Sequence, residues 1–215
     1  MADKKISHNE HKEEAEHHAS QKELVKHENK ILRNILLVIG LLALLFVGYL
    51  VASYFITHFD YKGVQFTVVS DQWVGLLYNT KIPSIYQNQS VNFNLYLRND
   101  PRKTAKDVPF DGQLVIRPFL VINSTDNFNC NGDGVIGIAN LENLYGAMGV
   151  KTGNANATCD PLQRYVSLKI ETSNETKIIE TAPACYTMEV NNCEILKATE
   201  RYMIETFVQL HNSSA

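Results

Sequence analysis

The sequence predicts an α+β protein: a single N-terminal transmembrane helix followed by one mixed, mainly antiparallel sheet domain with two helices. Three observations carry this expectation. A run of 23 residues without a charge, Ile35 to Thr57, divides the chain. Beyond it, several segments alternate apolar and polar residues one by one, the pattern of a half-buried strand. Two later segments, near 138–148 and 193–210, space their apolar residues as one face of a helix does. Strands, a helix, further strands and a last helix make an α+β domain. The expected division is a polar tail at 1–34, a transmembrane helix at 35–57 and an extracellular domain at 58–215.

The tail carries seven Lys/Arg and seven Asp/Glu and has almost nothing apolar before Leu24. Such a segment cannot bury enough surface to offset the entropy of ordering. His8, His11, His17, His18 and His27 cluster there. Imidazole binds zinc, copper and nickel, but the histidines lack zinc-finger spacing and cysteine partners, so a solvated mixed-charge tail is the expectation.

At about 1.5 Å per residue the apolar run covers a hydrocarbon core of roughly 30 Å. Its length and the 34 polar residues before it disfavour a secretory signal peptide. Lys22, Lys26, Lys30 and Arg33 flank it on one side, against Lys62 on the other. The positive-inside rule then predicts a single-pass protein of the cell membrane, N-terminus cytoplasmic and C-terminus extracellular. Asn-x-Ser/Thr occurs at Asn88, Asn123, Asn156, Asn174 and Asn212, all beyond the span, and these are the glycosylation candidates. The four cysteines Cys130, Cys159, Cys185 and Cys193 also lie beyond it, as suits disulfides in an oxidising compartment.

In the outer part, strands are expected at Val64–Ser70, Trp73–Tyr78, Ser90–Arg98, Gln113–Ile122, Arg164–Glu171, Thr176–Thr181 and Tyr186–Val190. Pro118 marks an edge or a bulge in the fourth. The stretch Asn99–Gly112 reads as a loop by composition, concentrating Arg98, Arg102, Lys103 and Lys106. An anionic sugar or a lipid headgroup is one use for that charge, and a solvated connection the commoner one. The second helix is expected from Cys193, with Asn191 and Glu194 in a capping arrangement.

Four cysteines allow three pairings, and the sequence leaves all three open. Cys130 with Cys159 would bracket the first helix, and Cys185 with Cys193 would join the last strand to the second helix. An extended strand between that second pair would hold the two cysteines some 16 Å apart, beyond the roughly 7 Å limit of a bridge. No Cys-x-x-Cys spacing occurs, so structural disulfides are expected.

The stretch CNGDGVIGIANLENLYGAMG, Cys130 to Gly149, resembles the calcium loop of dockerin modules, relatives of the EF-hand. The resemblance covers Asn129 to Gly149 only and once only. It implies Asn129, Asn131, Asp133, the carbonyl of Val135 and Asn140 as calcium ligands, with Gly134 at the sharp turn. Carboxylates that the resemblance expects at the first and last positions are Asn129 and Asn140 here. Calcium takes about six to eight oxygens and gains affinity from charge, and Asp133 is the sole charged ligand of this set. A metal-free turn that launches a helix is the stronger of the two readings.

A net charge of −3 leaves no footprint for nucleic acid. His58 and His211 are the only histidines beyond the span, too few for a triad or a zinc hydrolase site. The expected function is therefore a membrane-tethered extracellular interaction or structural module, an accessory component of a cell-surface complex. Its partners would be the lipid bilayer and a membrane or cell-surface protein. The alternative is a surface enzyme that uses paired carboxylates, for example on glycans.

Overall fold

The computed structural model describes residues 30, 32–86, 89–154 and 158–214. Helix α1, Leu32–Thr57, has a mean hydropathy of 2.9 and none of its most apolar window is buried. At about 1.5 Å per residue it reaches some 39 Å, enough to cross a bilayer with tilt. It begins three residues before the expected Ile35, because the helix runs on through Arg33 and Asn34.

A separate compact unit starts at Ile56. Its first half is an antiparallel meander, sheet A, in the order β1 (His58–Tyr61), β2 (Val64–Asp71), β3 (Gly75–Tyr86), β4 (Gln89–Leu97). The β1–β2 turn is two residues, Lys62 and Gly63, both at positive φ, with the Gly63 amide donating to Asp60 Oδ1 at 2.9 Å. This is the turn whose twist matches that of the paired strands. At the next turn Asp71 Oδ1 accepts from the amides of Trp73 and Val74. That side-chain turn consumes 72–74, so β3 starts two residues after the expected Trp73.

The expected loop at 99–112 holds a helix, α2, Pro101–Asp107. Asp100 caps it, its side chain accepting from the Arg102 amide, and proline occupies the first turn, where an amide would have no partner. A loop-like composition concealed a helix-start signature. The strand expected at Gln113–Ile122 is confined to its end. After the two-residue β5 (Phe110–Asp111), residues 113–117 are irregular, and β6 runs Phe119–Ser124. Side chains serve the irregular backbone instead of a ladder. Tyr186 Oη accepts from the Val115 amide and donates to the Gln113 carbonyl, while Glu180 accepts from the Gln113 amide.

The α+β class holds, but the strands form two sheets. Sheet B has the order β5, β9 (Lys177–Ala182), β10 (Cys185–Val190), β8 (Val166–Thr172), β6, β7 (Lys151–Asn154). Its β9–β10 pair is antiparallel and its other pairs are parallel. Helix α3, Asp133–Ala147, is the crossover between the parallel neighbours β6 and β7. It starts five residues before the expected Ile138.

Helix α4, Ile195–Ser214, is the core element. Ile195, Ala198, Tyr202, Met203, Ile204 and Phe207 are buried, so apolar side chains cover most of its circumference. It packs on α3, α2 and strands of both sheets, which a one-faced amphipathic helix could not do. Its first two expected residues, Cys193 and Glu194, belong instead to a turn in which Asn192 and Cys193 have positive φ.

The disulfides are Cys130–Cys193 and Cys159–Cys185, with Cα separations of 5.5 and 5.6 Å. Cys185–Val190 is a fully extended strand, which is why Cys185 and Cys193 do not join. The first bridge ties the entry of α3 to the entry of α4. The second ties the segment before β8 to β10. Sequence separations of 63 and 26 residues correspond to about 4 and about 3.5 kcal/mol of lost chain entropy in the unfolded state. Non-reducing peptide mapping should return these two linkages. Denaturant melting of the paired Cys→Ser variants should show a larger loss for 130/193 than for 159/185.

Candidate functional site

Parallel strands end where crossover helices begin, and this places backbone amides and loop side chains around a common opening. In sheet B that place is a groove of about 1040 Å³ at the C-terminal ends of β6 and β8. Its floor is Ile122, Ile170 and Ile195, all buried. Val135 and Ile138 of α3 form one wall, and Val135 stands 65% exposed. The rim is polar: Asn123, Asp126, Asn127, Asn129 and Glu142.

The rim loop is stitched by its own side chains. Ser124 Oγ donates to the Asp126 carbonyl, and the Asn129 amide donates to Asn127 Oδ1. Asp126 Oδ2 accepts from the Thr172 hydroxyl and amide and from Thr125 Oγ1. The Thr172 donors hold its carboxyl below the usual range. An acid so engaged stays ionised and fixes β6 to β8. It is poorly suited to deliver a proton.

At the calcium-like stretch, the positive-φ turn falls at Cys130, Asn131 and Gly132, ahead of Gly134. A short 3₁₀ turn, Cys130–Gly132, leads straight into α3 at Asp133. Gly134 serves another purpose. A Cβ there would lie 1.7 Å from the Phe128 carbonyl oxygen, so glycine is what lets the chain fold back over α3. Of the five sequence-derived ligands, Asn129 lines the groove and Asn131 is exposed. Asp133 Oδ1 lies 3.9 Å from Arg98 Nη1. Val135 and Asn140 are inside α3, where the Val135 carbonyl belongs to the helical ladder. Asn140 is seven residues beyond Asp133, about 10 Å along the axis. The fold places Asn129 on the groove, Asn131 on the surface, and Val135 and Asn140 within α3. Among the described residues no group of three or more His, Cys, Asp or Glu side chains is placed to hold a metal ion.

Among the glycosylation candidates, Asn174 and Asn212 are exposed, whereas Asn123 is half-buried in β6 and lines the groove. Asn88 and Asn156 lie outside the described residues, as does the histidine cluster of the tail.

One ionisable group escaped the sequence reading. Glu200 of α4 is fully buried, and its carboxylate accepts from the Arg98 amide at 2.6 Å, the Asn99 amide at 2.9 Å and Asn99 Nδ2 at 2.7 Å. Burial pushes its carboxyl up to about 7, against the pull of those N–H donors and of the Arg98 charge. The signal was present in the sequence: Leu196, Glu200, Met203 and Phe207 share one helical stripe, so an acid sits where an apolar residue belongs.

No protein-family model, curated protein or solved structure matches the chain.

Gly134→Ala should destabilise the domain by about 2 kcal/mol, because the clash is with backbone that cannot rotate away. Gly146→Ala, in open space on the same helix, should be neutral or stabilising by about 0.5 kcal/mol. Paired chemical denaturation curves check both, and an equal response at the two positions would contradict the close approach.

Proposed function

We propose that the protein is a membrane-tethered interaction module, with α1 as its anchor and the groove between β6, β8 and α3 as its partner-binding surface. The observation that carries this reading is the groove itself, an apolar floor inside an amide and carboxylate rim at the C-terminal ends of parallel strands. Recognition surfaces combine those two features, a water-excluding centre and a polar rim that fixes orientation. The tether supports it too. His58 opens β1 directly after α1 ends, so the domain is held at the membrane without a linker.

The anchor is oriented with its N-terminus in the cytoplasm and the disulfide-stapled domain outside, on the asymmetry of basic residues around the span and the location of all four cysteines. Among the described candidates, exposed Asn174 and Asn212 are then accessible glycan sites, and a glycan on Asn123 would fill the groove. The occupant is a segment of a membrane or cell-surface protein presenting apolar side chains to Val135 and Ile138 and backbone amides to the rim. Calcium enters only as a weak ligand of the turn at 129–133, with Asp133 its single charged donor.

A photo-crosslinking residue at Val135, in the native membrane, should give a discrete adduct. The same residue at Leu162, equally exposed but outside the groove, should give none. Adducts at both positions or at neither would contradict the groove assignment. Protease added to intact cells should remove the domain and spare the tail. The reverse pattern would invert the orientation.

A further inference from the structure

The residue pairs of sheet A put three features on one side of a single row. His58, Thr67, Asn79 and Tyr96 lie side by side across the four strands. β1 leads the chain away from Thr57, so the chain enters this row from the Thr57 side. On the same side, β2 and β3 run four residues further, to the turn between Asp71 and Gly75, roughly 13 Å past the row at about 3.4 Å per residue. On that side, too, β4 ends at Leu97 and passes into α2.

Aromatic, apolar and basic groups meet at this end. Trp73, the chain's only tryptophan, is 93% exposed at the turn, beside exposed Val74 and Leu76. The turn is rigid, because Asp71 holds the amides of Trp73 and Val74 at 2.8 and 2.9 Å. Water is a poor environment for so large an aromatic side chain, and a rigid tip offers it no local shelter. Helix α2 adds charge. The Arg102 guanidinium stacks 3.9 Å from the Phe59 ring centre, which holds α2 against β1 one residue beyond the row on the side away from the tip, and Lys103 and Lys106 are exposed. Between Arg98 and Asp107 there are four basic and two acidic residues, an excess of positive charge. Apolar and aromatic groups next to basic ones suit the bilayer interface, where rings sit at headgroup level and amines meet phosphate.

We propose that this end of sheet A is a second membrane contact: the β2–β3 tip enters the headgroup region through Trp73, Val74 and Leu76, and Lys103 and Lys106 bind lipid phosphate. The inference rests on reading α1 as a membrane anchor, since one peptide bond then holds the row at the bilayer surface. The tip lies on the side of the row from which the chain arrives.

The full chain reconstituted in phosphatidylcholine–phosphatidylglycerol vesicles tests it, with Trp73 as the only tryptophan reporter. Replacing part of the lipid with its acyl-brominated counterpart should remove more than half of the Trp73 emission. Val74→Asp, on the exposed tip, should restore most of it, and a double Lys103→Glu, Lys106→Glu variant should weaken the quenching. Emission unchanged by bromolipid and open to aqueous iodide would overturn the proposal. Emission shielded from iodide yet unquenched by bromolipid would overturn it in favour of a protein contact. Equal quenching in the lysine variant would remove α2 from the surface. Alkaline extraction of the same vesicles reads the anchor separately. A chain that washes off refutes the anchor and the proposal with it, whereas a retained chain with unquenched Trp73 refutes the docking alone.

Discussion

The carboxylate of Glu200 accepts three N–H bonds inside the core, and the join between the two halves of the domain depends on it. Its partners are the amides of Arg98 and Asn99 and the Asn99 side chain, where β4 ends and α2 is about to begin. Those donors sit at a strand end and have no ladder partner waiting. Buried without an acceptor, they would each cost on the order of 1–3 kcal/mol. A side chain from α4 supplies what neither sheet can. The next residue continues the pattern: Arg201 Nε donates to the Val108 carbonyl at the far end of α2. One turn on, Glu205 takes the ion pair with Lys62 of the β1–β2 turn. Helix α4 therefore carries a polar row, Glu200, Arg201 and Glu205, on a mostly apolar surface, and it sets where sheet A and α2 stand.

That placement governs both surfaces assigned a role. The Cys130–Cys193 bridge fixes the start of α4 to the start of α3, and Ile195 of α4 closes the floor of the groove. Gly137 allows the two helices to approach, since a Cβ there would come within 2.5 Å of the Thr199 hydroxyl. One residue on, Glu200 holds the exit of β4 from which the basic helix α2 departs. Arg102 then reaches the Phe59 ring beside the chain's entry into sheet A. A single buried helix thus positions the groove with its first residue and the base of the basic helix with its second turn.

Much of this was legible in the residues. Alternation located β2, β4, β8, β9 and β10, because each has one buried face, and helical spacing located α4. What alternation could not supply was the partner of each strand. β8 reads identically whether its neighbours run parallel or antiparallel, so two sheets were not separable from one. Helix α2 was hidden because seven residues are too few for periodicity to outweigh a loop-like composition, although Asp100-Pro101 announced its start. β7 reads KTGN and has no apolar pattern at all. The disulfides depended on long-range topology, which spacing does not encode. The opening of α3 was displaced for a local reason: the turn uses Asn131 and Gly132, not Gly134, for its positive φ.

The charge state of buried Glu200 is read directly by pH. Folding raises the Glu200 carboxyl from its ordinary 4.5 to about 7, so the folded protein holds that proton more tightly than the unfolded chain. The stabilisation is then complete below pH 4.5 and is lost as pH rises through about 7, a change of about 3 kcal/mol. His58, His211 and the tail histidines are common to the parent and to Glu200→Gln, so the difference between the two isolates Glu200. Denaturant unfolding of both proteins at pH 5 and pH 8 should show the parent losing stability towards pH 8 and the variant a flatter profile. Identical pH profiles, or a parent that gains stability towards pH 8 relative to the variant, would contradict the account.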